Sequence, residues 1–122
     1  MTAVILGGLT LLLFVIHVTA GERGVAKPML AADFSPTARW TMYVCWHAVS
    51  AQLFLGGVAL IWAGLVPGEG ATLVVRAVST LALAYAVLFL IIATRLERGW
   101  LKLGQWMAFL PLGVVGWAST LM

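Results

Sequence analysis

Long apolar runs separated by short polar turns set the pattern of this chain. Between Trp40 and Leu65 there is no Asp, Glu, Lys or Arg. That run exceeds the roughly 20 apolar residues needed to cross a bilayer core. Ser35 reads as its N-cap, with Pro36 at the first helical position, and Pro67-Gly68 ends it. Comparable apolar runs cover residues 3–20, 72–94 and 100–122, the last two each with one basic residue near an end, Arg76 and Lys102. The pattern therefore predicts an all-α fold: an integral membrane four-helix up-and-down bundle in a single transmembrane domain.

Small and polar positions inside these runs mark the faces that meet protein. Gly7, Thr10, Phe14, His17 and Gly21 recur at spacings of three and four and share one face of the first helix. The second helix carries two such stripes. One holds Tyr43, His47, Ser50, Phe54 and Gly57; the other holds Cys45, Gln52, Gly56, Ala59 and Ala63. Two packing faces place this helix at the centre of the assembly. Gln52 and Gln105 are expected to act as interhelical glue, and Tyr85, near mid-membrane, needs a hydrogen-bond partner. Pro111 frees the carbonyl of Met107 and is expected to kink the fourth helix. Arg76 is expected to snorkel or to reach Glu69.

The connections are expected at residues 21–34, at Pro67-Gly68-Glu69-Gly70 and at Arg95-Leu96-Glu97-Arg98-Gly99. Arg23, Lys27, Arg39, Arg95, Arg98 and Lys102 fall on one side of the bilayer, against Arg76 alone on the other. By the positive-inside rule the richer side is cytoplasmic and both termini lie outside, in a bacterial inner membrane. Val18-Thr19-Ala20 loosely imitates a signal-peptidase site, but no basic stretch precedes the apolar run, so it is expected to be a retained span.

The composition agrees with that class, at 63% hydrophobic and 9% charged residues, far from a soluble domain. The net charge of +3 sits in short loops, where it serves orientation and contact with anionic lipid rather than nucleic acid. Cys45 is the only cysteine, so no intramolecular disulfide forms. No acidic residue lies inside a span, which argues against proton-coupled antiport of the small multidrug-resistance kind. No phosphate-cradling loop or nucleophile elbow is present, and no catalytic residue set is expected.

Two histidines remain as candidate chemistry. His17 lies roughly 6 Å from the expected span edge and His47 about 10 Å from Trp40, at 1.5 Å per residue. Imidazoles at matched depth on two helices are candidate axial ligands for haem or another tetrapyrrole. His17, His47 and Glu22, with Cys45 nearby, form an alternative metal set. The plain alternative is that each histidine hydrogen-bonds across the bundle and fixes packing.

The stretch His17-Val18-Thr19-Ala20-Gly21-Glu22-Arg23, with Trp46-His47, resembles a group of small four-span bacterial membrane proteins. In these a His-x3-Gly-Glu-Arg stretch ends the first helix and a Trp-His pair lies in the second. The resemblance implies that His17, Glu22, Arg23 and His47 belong together; it supplies no activity. The leading functional expectation is an accessory or structural subunit of a larger energy-transducing or redox membrane complex, or a homo-oligomer. The alternatives are a haem- or metal-binding protein using His17 and His47, and a carrier of a hydrophobic small molecule or lipid in a cleft beside helix four.

Overall fold

In the computed structural model, which describes residues 1–121, the chain is all-helical, and three helices are long and apolar enough to cross a membrane. Helix α1 spans Thr2–Ala31 and α2 spans Pro36–Leu65. Helix α3 spans Glu69–Ala93, α4 is the single turn Gly99–Lys102, and α5 spans Trp106–Ser119.

The limits of α2 follow its capping chemistry. Ser35 Oγ accepts from the Ala38 N–H at 3.3 Å, and Pro36 occupies the first turn. Gly68, at φ 156° and ψ 177°, makes the tight reversal into α3 in a region that side chains with a Cβ avoid.

Two expectations are corrected. The first helix does not stop at Ala20; it continues to Ala31, through a π-helical stretch over His17–Ala26. Nothing in residues 21–31 forces an end, and Pro28 falls where the winding returns to α, beside Lys27, whose N–H still reaches Glu22 O. The chain turns extended only at Ala32, with ψ 155°.

The expected fourth span over 100–122 is also broken. A turn at 103–105 separates α4 from α5, leaving 14 residues in α5. That is about 21 Å of helix, short of a bilayer core of about 30 Å. Gly99 and Gly104 weaken helix here, and the Trp106 indole N–H donates to Trp100 O at 2.9 Å, folding the segment back on itself. Pro111 sits inside α5. Met122 lies outside the described residues.

The helices form a ring in the order α1, α2, α3, α5, each antiparallel to the next. Along α1 and α2, Val4 meets Gly64, Gly7 meets Ile61, Phe14 meets Phe54 and His17 meets Trp46. A Cβ on Gly7 would stand 2.6 Å from Ile61 Cγ1 and 2.7 Å from Gly57 O, so only glycine lets these backbones approach so closely. Helices α3 and α5 make a second close pair, where Gly113 lies against Leu83 and Ser79. The two pairs touch each other over shorter stretches.

At one end the four walls close on a packed core of Leu6, Leu60, Ala63, Ala71 and Val75. Toward the other end a second cluster, Leu53, Ala82, Ala86 and Phe109, is the last complete layer. Beyond it the short α5 supplies no fourth helix.

Candidate functional site

The missing wall opens a cavity of about 520 Å³ between the two helix pairs. Helix α1 contributes His17, Gly21 and Val25, and α2 contributes Trp46 and Val49. Tyr85 and Phe89 come from α3. Leu103 and Gln105, from the turn before α5, close the remaining side with Ala108 and Phe109.

Its most organised feature is the meeting of α1 with α2. The His17 and Trp46 rings stack with centroids 3.9 Å apart and planes 19° from parallel. The Trp46 indole also lies over Gly21, where a Cβ would stand 2.8 Å from Trp46 Cη2. One ring thus covers the two residues of the His-x3-Gly spacing. His17 Nε2 donates to Trp46 O at 3.3 Å, and Ser50 Oγ donates to the same carbonyl at 3.2 Å. The donor role of Nε2 follows because a carbonyl can only accept.

His47 is placed otherwise. It is exposed and does not line the cavity. It meets Tyr43 edge-on, with ring centroids 4.5 Å apart. The structure pairs His17 with Trp46, so the two imidazoles do not share one cavity. Glu22, Arg23 and Cys45 are exposed. Among the described residues no group of three or more His, Cys, Asp and Glu side chains comes together as a metal site.

The floor of the cavity is tied by Tyr85, whose hydroxyl donates to Gln52 Oε1 and so links α3 to α2. Tyr85 also packs on Phe109, which stacks with Phe89 at 6.0 Å and 8°. Gln105 is not buried between helices; it is exposed at the foot of α5 and lines the cavity rim. Pro111 instead lines an adjoining groove of about 480 Å³ between α1 and α5. Leu9, Leu12, Met107 and Val115 line that groove from the outer surface. Leu13 and Ala108 line both spaces.

The α1 side of the cavity could be read in part from spacing. Trp46, the residue that completes it, was hidden by its neighbour, since a Trp-His pair draws attention to the titratable member. The remaining signal is the broken fourth run, with Gly99, Lys102 and Gly104 close together. Comparison with known protein families, with characterised proteins and with solved structures finds no match.

Proposed function

We propose that this chain is an integral protein of a bacterial inner membrane, with both termini outside, and that it holds a hydrophobic small molecule between its two helix pairs. The three long apolar helices support the membrane reading. The observation that carries the function is the 520 Å³ cavity, whose size falls in the range of ligand sites and whose walls are apolar with a few polar groups. No Asp, Glu, Lys or Arg lines it, which favours a neutral occupant.

Tryptophan quenching by 1-bromonaphthalene in phospholipid nanodiscs tests this reading. Wild type and the outward-facing Leu55→Phe variant should show a saturable component above the linear partitioning of the probe into lipid. Ala108→Phe, which fills the cavity, should lose it. Purely linear quenching in the wild type would remove the reading.

A further inference from the structure

We propose that the cavity and the adjoining groove hold a single lipid, with a neutral phenolic head of quinol type in the cavity and a long apolar tail in the groove. This rests on the reading that the cavity is a ligand site.

Continuity gives the overall form of the molecule. Leu13 and Ala108 line both spaces, so one elongated molecule passes from ring-lined walls to aliphatic ones. The groove side is made mainly by aliphatic residues such as Leu9, Leu12, Leu112 and Val115, with Thr2 as a polar residue in its lining, which suits a hydrocarbon chain better than a polar head.

The cavity selects the head in three ways. It contains no charged side chain, so a phosphate or carboxylate would be buried without a counter-ion. Its walls carry Trp46, Phe89 and Phe109, whose faces and edges favour a flat aromatic ring. The third constraint comes from His17. Its Nε2 proton is given to the Trp46 carbonyl, so the neutral imidazole keeps Nδ1 as an acceptor. An acceptor takes a hydroxyl and offers nothing to a ketone. Gln105, at the rim, can give to or take from a second oxygen on the same ring.

Equilibrium binding of tritiated 4-decylphenol and tritiated decylbenzene to protein-loaded nanodiscs, counted against empty ones, tests the proposal. The nanodisc phospholipid is a standing competitor in large excess. Saturable binding of 4-decylphenol, about tenfold tighter than decylbenzene, is expected, since one hydrogen bond to a half-buried acceptor is worth up to about that factor. His17→Phe and, separately, Gln105→Leu should narrow the gap, the former more. Val115→Trp should weaken 4-decylphenol while sparing 4-methylphenol, which has no tail to place. A shift of the His17 Nδ1 resonance in ¹⁵N-histidine-labelled protein on adding 4-decylphenol should accompany binding.

Equal affinity for the two decyl compounds, in protein that still binds 1-bromonaphthalene saturably, would overturn the phenolic head and leave a general apolar site. An unchanged 4-decylphenol affinity in Val115→Trp would overturn the tail placement. If neither decyl compound nor 1-bromonaphthalene binds saturably, both this proposal and the reading beneath it fall.

Discussion

Trp46 ties α1 to α2 beside the cavity through both its ring and its backbone. Its ring stacks on His17 and covers Gly21, and its carbonyl accepts from both His17 and Ser50. Gly21→Val is expected to push the indole away and destabilise the fold by about 1–3 kcal/mol, the usual cost of overpacking. A lower midpoint of thermal unfolding in detergent would show it. His47→Ala, on an exposed ring, should stay within about 0.5 kcal/mol of wild type in the same measurement. The face from Gly7 to Gly21 was legible because helical spacing alone defines it. Its partner was not, because Trp46 and His47 differ by about 100° around α2, and the rotation of α2 is fixed only when Gly57 and Gly64 dock on α1. A second residue-scale test uses the Tyr85 to Gln52 hydrogen bond. Gln52→Leu alone leaves a half-buried hydroxyl unpaired and should cost about 1 kcal/mol, whereas adding Tyr85→Phe should recover much of it. A double-mutant cycle from unfolding midpoints reads the difference.

Among the elements, α2 and α3 could be placed from sequence because their ends carry strong punctuation at Ser35-Pro36 and Pro67-Gly68. Gly68→Ala should destabilise by about 1–3 kcal/mol, since its backbone region is closed to alanine, again checked by thermal unfolding. The extension of α1 to Ala31 was not legible. Glu22, Arg23 and Lys27 look like a loop, yet charged residues form helix readily when nothing breaks it. The true extent of α5 was equally hidden, because apolarity continues through the turn that interrupts it. Of the two expectations for Arg76, the reach to Glu69 is not made. Its guanidinium donates to Thr120 Oγ1 at 3.1 Å and lies 5.3 Å from the Trp117 ring centre, rather than reaching Glu69. It thereby fastens the carboxyl end of α5, where a cation suits the helix dipole. Arg76→Leu should speed amide hydrogen exchange in Trp117–Thr120 while leaving α1 and α2 unchanged.

At the scale of the whole molecule, two close helix pairs leave a gap where α5 is too short to finish the ring. Such a gap sacrifices packing, since apolar surface there lacks neighbours. Filling it with Ala108→Phe is expected to raise stability by about 0.5–2 kcal/mol and to abolish saturable 1-bromonaphthalene quenching. Unfolding and quenching followed on the same preparation would reveal whether the two move in opposite directions.

The groove between α1 and α5 is bordered by side chains on the outer surface. In a bilayer its mouth therefore faces sideways, into the acyl chains rather than into water. On the proposed reading, its occupancy would follow how many guest molecules are dissolved per lipid, and diluting the sample with buffer would leave that number almost untouched. Diluting the membrane itself, by fusing in empty vesicles, is what should empty the protein.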